Sequence, residues 1–208
     1  PFGQSAALYA ADLQESAFWQ DEVDAGVLPP VADRVPSEPS RPGLELRNRA
    51  LGQQGGTLST MVTRSKDVRQ MVVYGYSRLV GFNERYELVA DILAGFDNEN
   101  DRKFTLHLRP GHRWSDGHPF TSEDFRYWWE NVINNDEITP TGPPDFMFVD
   151  GNLGSVTFPD PHTVVFEWPT PNSNFLPLLA QASPPFLYRP AHYLRQFHVD
   201  FAETENLA

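Results

Sequence analysis

The sequence contains no cysteine. That excludes disulfides, thiol nucleophiles and thiolate-bound zinc, and it leaves the redox compartment open. It contains no run of about 18 apolar residues, the length a membrane-crossing helix needs. Basic residues are scarce: 16 Lys and Arg face 28 Asp and Glu, a formal net charge of −12. A surface of that sign repels nucleic-acid phosphates and anionic headgroups, so neither a nucleic-acid partner nor a polybasic membrane anchor is expected. No Gly-x-Ser-x-Gly elbow is present, and Gly55-Gly56 is followed by no Gly-Lys-Ser/Thr phosphate loop. No internal repeat is visible. The residues assign no catalytic group, cofactor or metal, and an enzyme is not expected.

What is abundant is aromatic and proline. Fifteen Phe, 7 Tyr and 5 Trp within 40% hydrophobic residues are ample for a core, and 19 prolines favour loops and short elements over a helical bundle. The most ordered stretch begins at Phe104. Phe104, Leu106 and Leu108 alternate with Thr105, His107 and Arg109, the period of a half-buried strand. Pro110-Gly111 and Ser115-Asp116-Gly117 then supply turn chemistry: a preset φ, a residue tolerating φ > 0, and an Asp that bonds its own backbone. Thr121 is a good helix N-cap with an acid, Asp124, three residues on. Phe125, Trp128, Trp129 and Val132 follow on one helical face. Strand, double turn and aromatic-faced helix make a rigid corner in which Trp114 and Phe120 are expected to be buried supports and Gly117 to hold φ > 0.

This corner, FTLHLRPGHRWSDGHPFTSEDFRYWWENV, resembles the signature of the family 5 solute-binding proteins of ABC importers. Arg109, Gly111, Trp114, Ser115, Asp116, Gly117, Pro119, Phe120, Thr121 and Asp124 fall in its pattern. Gly55-Gly56-Thr57-Leu58 resembles the family's opening strand, and Leu79-Val80 and the segment 90–96 resemble the stretches before the signature. Segments 28–36 and 190–198 resemble one subgroup. The resemblance implies a mixed α/β fold with β-hairpins and short helices, the N-terminal part of a type II (cluster C) periplasmic-binding-protein fold. It implies a periplasmic or extracellular binding protein that takes up a small solute, a peptide first, and hands it to an ABC permease in the membrane. Oligosaccharide, opine and nickel receptors of the same family are the alternatives, with a secreted enzyme or scaffold on the same fold as the reading from another class. By the same resemblance Thr63, Arg64 and Ser65 follow the first strand, Phe146, Met147 and Phe148 lie near the cleft, and Tyr188 stands on the return to the main lobe; these are the candidate ligand contacts.

Around the corner, residues 1–45 read as a proline-rich arm, with Ser5 to Ala11 open to a signal-peptide remnant, and 46–208 as the first lobe without its second. Residues 55–62 are expected as a strand and 67–80 as a helix. Segments 92–96 and 104–108 are expected to pair as a hairpin across Asp97 to Asp101, whose spacing lacks the Gly and Glu of a calcium loop. A second hairpin is expected across Pro159 to His162. Short helices are expected over 174–181 and from Pro190 to Phe197, and Glu205 to Ala208 reads as a helix cut mid-turn. His107, His112 and His118 are expected to be solvated or locally bonded. Phe146-Met147-Phe148, in a loop rich in Pro and Gly, must either plug the core or line a contact surface.

Overall fold

The computed structural model describes residues 13–40, 52–53, 55–70 and 77–202. Its centre is a four-stranded antiparallel sheet in the order β3-β4-β8-β7, built from Leu93–Glu99 (β3), Lys103–Leu108 (β4), Ser155–Asp160 (β7) and Thr163–Glu167 (β8). Both expected hairpins are present. The first turns through Asn100 and Asp101, both at positive φ (57° and 55°), the backbone hand that matches strand twist. Two small antiparallel pairs flank the sheet: Val80–Phe82 (β1) with Leu88–Ala90 (β2), and Phe148–Val149 (β5) with Asn152–Leu153 (β6).

The core follows the alternation. Phe104, Leu106 and Leu108 of β4 are buried, as are Val164 and Phe166 of β8 and Leu93 of β3. Each fully buried large apolar side chain is worth about 1.5–3 kcal/mol. Phe175, at the start of the short helix Phe175–Leu179, stacks into this layer with ring centroids 5.0 Å from Phe104 and 4.9 Å from both Phe166 and Trp168. Trp168 is so close to Gly154 that a Cβ there would lie 2.4 Å from the indole nitrogen. Only glycine fits at 154.

The described helices are all short. Gln20–Asp24 (α1) and Val31–Arg34 (α2) lie in the arm; Ser122–Arg126 (α3), Phe175–Leu179 (α4) and Ala191–Leu194 (α5) follow. Helix α3 starts with the expected capping box: Glu123 N–H donates to Thr121 Oγ1 at 3.3 Å and Thr121 N–H to Asp124 Oδ2 at 3.0 Å. It then widens into a π-helix over Tyr127–Ile133. The wider turn alters the expected stripe, so that Ile133 rather than Val132 joins Phe125, Trp128 and Trp129 against the core.

Elsewhere the expectations need correction. Residues 55–62 are exposed and without regular structure, Gly55 and Gly56 at positive φ, and no strand partner for them exists among the described residues. The helix expected over 67–80 is a 3-10 turn over Ser65–Gln70, and Val80 opens β1. Residues 71–76 and the expected terminal helix from Glu205, like residues 1–12, lie outside the described residues. At the sheet's β7 edge the register with β8 shifts between Thr157 and Asp160, where Pro159 stands.

Candidate functional site

The corner is a set of nested turns. Trp114 N–H donates to His118 O at 2.8 Å, Gly117 N–H to Trp114 O at 2.9 Å and Phe120 N–H to His112 O at 2.8 Å. Gly117 has φ +87°, as expected, and Gly111 has φ +80°. Phe120 is buried; Trp114 is half-buried, edge-on to Phe120 and Tyr188 at 5.5 and 6.0 Å. Asp124 does more than cap. Its Oδ1 accepts the Ala191 N–H at 3.1 Å and its backbone O the Arg189 N–H at 3.0 Å, so one residue fixes both α3 and α5. Burial pushes its carboxyl up from the ordinary range, against the pull of the Thr121 and Ala191 amides.

Arg109 and Gly111 hold the arm. Arg109 Nη1 donates to Glu38 O at 2.8 Å, and Ser37 donates to Pro110 O through both its N–H (3.1 Å) and its Oγ (3.0 Å). A Cβ at Gly111 would lie 3.3 Å from Ser37 N, so the missing side chain admits the arm. His107 and His118 are locally bonded, as expected; His112 is neither solvated nor bonded, being half-buried edge-on to Phe120 at 5.3 Å with a buried Nδ1 that has no hydrogen-bond partner among the described residues. His107 meets Asp97 at 2.7 Å, and His118 stacks flat on His192, 3.8 Å between centroids, while His192 bonds Asp116 at 2.6 Å. That bond is the main cause holding the Asp116 carboxyl below its usual range. Ser115 and Pro119 are exposed turn residues.

The candidate ligand residues divide between places. Phe146, Met147 and Phe148 straddle a 3-10 turn, Asp145–Met147, that runs into β5. Met147 is fully buried, and its carbonyl accepts from Gly154 N–H at 2.8 Å and Trp168 Nε1 at 2.9 Å. It is an anchored support and is not among the residues that line the neighbouring cleft. Phe146 is half-buried and Phe148 is 39% exposed, and both line an open cleft of about 550 Å³ between this turn and α4. The loop residues are thus both plug and surface. Tyr188 is elsewhere: it packs on Phe120 and Phe125 at 5.0 and 5.3 Å and borders a separate cavity of about 370 Å³ with Arg109, His112 and Phe186. Thr63, Arg64 and Ser65 are exposed in a turn closed by Arg64 N–H donating to Asp67 Oδ2 at 2.9 Å, and they do not line the cleft.

The polar lining of the cleft is what sequence reasoning missed. Asp145, Asn172, Asn174 and Gln181 face it beside the two rings. Asn172 is fixed twice, by its N–H to Asp101 O at 2.6 Å and its Nδ2 to Phe146 O at 3.2 Å. In sequence, Pro-Asn-Ser-Asn reads as turn chemistry, and nothing local ties it to a phenyl ring 26 residues earlier.

Comparison with known proteins places the chain. The profile for bacterial extracellular solute-binding proteins, family 5 Middle, matches residues 87–205, more than half of the 208. A periplasmic α-galactoside-binding protein of Rhizobium meliloti is 27% identical over 204 residues, 88% of this chain and 29% of that protein. The periplasmic murein peptide-binding protein MppA of Escherichia coli is 31% identical over 65 residues, 31% of this chain and 12% of that protein. Among solved structures, an oligopeptide-binding protein OppA superimposes with TM-score 0.76 at 32% identity, covering 94% of this chain and 30% of that one. MelB of Agrobacterium fabrum, solved with stachyose, shares the fold at TM-score 0.61 and 20% identity, over 92% of this chain and 32% of that one. This chain therefore spans about 30% of the length of the relatives it matches along most of its own length. With the mixed α/β architecture, the nested signature turns and the profile match all on the same residues, the chain belongs to the family 5 bacterial extracellular solute-binding proteins.

Proposed function

We propose that this chain is part of the solute-binding subunit of an ABC importer, acting in the periplasm or outside the cell. It captures a small solute and presents it to a permease in the membrane; it carries out no chemistry itself. The observation that carries this reading is the open cleft at Phe146 and Phe148, set on a rigid sheet-and-corner frame within a family of binding proteins. Capture in such a receptor is a closure of two lobes, driven by contacts that exist only in the closed state. The matched relatives include, by name, binders of peptides and of α-galactosides. Phe146 and Phe148 serve either, since an aromatic face takes a peptide side chain or the C–H face of a sugar. Thr63, Arg64 and Ser65 are proposed as contacts to the ligand from a second side, and Tyr188 as a support on the return of the chain.

The test is calorimetry on the intact protein with tripeptides and neutral trisaccharides, together with mass spectrometry of what co-purifies with it. One saturable site for either class is the expected result. An intact, folded protein that binds neither class and carries no solute would remove the importer reading.

A further inference from the structure

The cleft beside Phe146 and Phe148 has a chemistry that narrows its ligand. Among the described residues, those lining it include one carboxylate, Asp145, and three carboxamides, Asn172, Asn174 and Gln181, and no Lys, Arg or His. A carboxylate or phosphate on the ligand would find no cation there and would meet Asp145. Opines, phosphosugars and the carboxyl end of a peptide are disfavoured on that ground. A carboxamide both donates and accepts, as a hydroxyl does, and a carboxylate accepts strongly from two hydroxyls. The two phenyl rings add a flat apolar face of the kind that C–H-rich ring surfaces cover. The volume, about 550 Å³, falls within the range of roughly 300–1,000 Å³ typical of small-ligand pockets.

Several of these groups are fixed before any ligand arrives. Asn172 holds the Phe146 carbonyl with one of its two amide hydrogens and has the other, and its oxygen, for a ligand. Met147 is anchored from two sides, which fixes the spacing of the rings on either side of it. Asn174 precedes α4 without spending its side chain on a cap. We propose that this cleft is a subsite for a neutral sugar ring, with Phe148 as its platform and Asn172, Asn174 and Asp145 as hydroxyl partners. The proposal rests on the solute-capture reading above and assigns its substrate class.

Calorimetry on the intact protein with raffinose, maltotriose and trialanine tests it. At least one of the neutral trisaccharides is expected to bind at a single site. Phe148→Ala and Asn174→Ala are each expected to weaken that binding by about tenfold or more, the loss of one ring contact or one good hydrogen bond. Both side chains are exposed, so the variants are expected to keep the parent melting temperature, which is measured alongside. Trisaccharide binding that is unchanged in both variants places the sugar elsewhere and overturns the proposal. Binding of trialanine but of no sugar overturns it too, and a loss of that binding in Asp145→Asn would assign the cleft to a peptide ammonium; the solute-capture reading then stands. Binding of neither class, by a protein that also carries no solute, takes both readings down.

Discussion

The Asp124 carboxylate receives backbone amides from Thr121 and from Ala191, two segments that meet only in the fold. Its replacement by Ala removes a cap, worth about 1 kcal/mol, and strands a buried amide at about 1–3 kcal/mol. Asp124→Ala is therefore expected to lower unfolding free energy by roughly 2–4 kcal/mol in a urea titration; a loss below about 0.5 kcal/mol, the scale of an ordinary surface change, would contradict the bridging role. His112 sets a pH dependence. Burial, with repulsion from Arg109 second, holds its imidazole below the ordinary value of about 6.5. The folded state thus prefers neutral His112. Its contribution is complete above about 6.5 and is lost as pH falls through that value toward the lower folded one. Melting temperatures of the parent and His112→Gln, followed from pH 7.5 to 5, are expected to show a steeper decline in the parent; parallel curves would remove the assignment.

At the scale of elements, the signature corner is a clasp for the arm as much as a support for the sheet. Gly111→Ala puts an L-residue at φ +80° and presses its Cβ on Ser37, whereas Gly117→Ala meets the same backbone penalty, about 1–2 kcal/mol, in open space. Trypsin cleavage at Arg34 is accordingly expected to quicken in Gly111→Ala and to change little in Gly117→Ala. Equal rates would show that the arm does not depend on this contact. The strands and turns of the corner were legible in the sequence because their signals are local: a period of two from Phe104 to Leu108, an Asp-Gly pair at 116–117, and an acid three residues after Thr121. The π-turn of 127–133 was not, since one backbone step moves the core-facing position from Val132 to the half-buried Ile133 without any residue that announces it. That 55–62 forms no strand among the described residues was also missed, because β-propensity there says nothing of whether a partner strand exists. Half of the cleft was legible, from Phe146 and Phe148 standing in a loop where large apolar side chains need a purpose. The other half, Asn172 and Asn174, was hidden because turn-forming and ligand-binding amides look alike until a fold brings them beside a ring.

At the scale of the molecule, the cleft is open on one side, and small-ligand pockets normally enclose about 70–90% of what they bind. Residues 1–208 alone are expected to bind raffinose or trialanine no better than about millimolar; stoichiometric micromolar binding by this span as a monomer would show that the site is complete within it. The sheet's edges carry a different consequence. Pro159 sits in β7 where the ladder with β8 loses register, and it has no amide hydrogen to offer outward. The Phe158 ring beside it is covered by the Arg126 guanidinium at 4.7 Å, while the other outer strand, β3, ends in Asp97 and Glu99. Two copies that meet therefore find one margin interrupted at Pro159 and the other lined by charged side chains, Asp97 paired with His107 and Glu99 with Lys103. A margin that is interrupted or lined with charge is a poor template for a second copy's strand, so the sheet is protected against growth from both outer strands by the side chains it already carries.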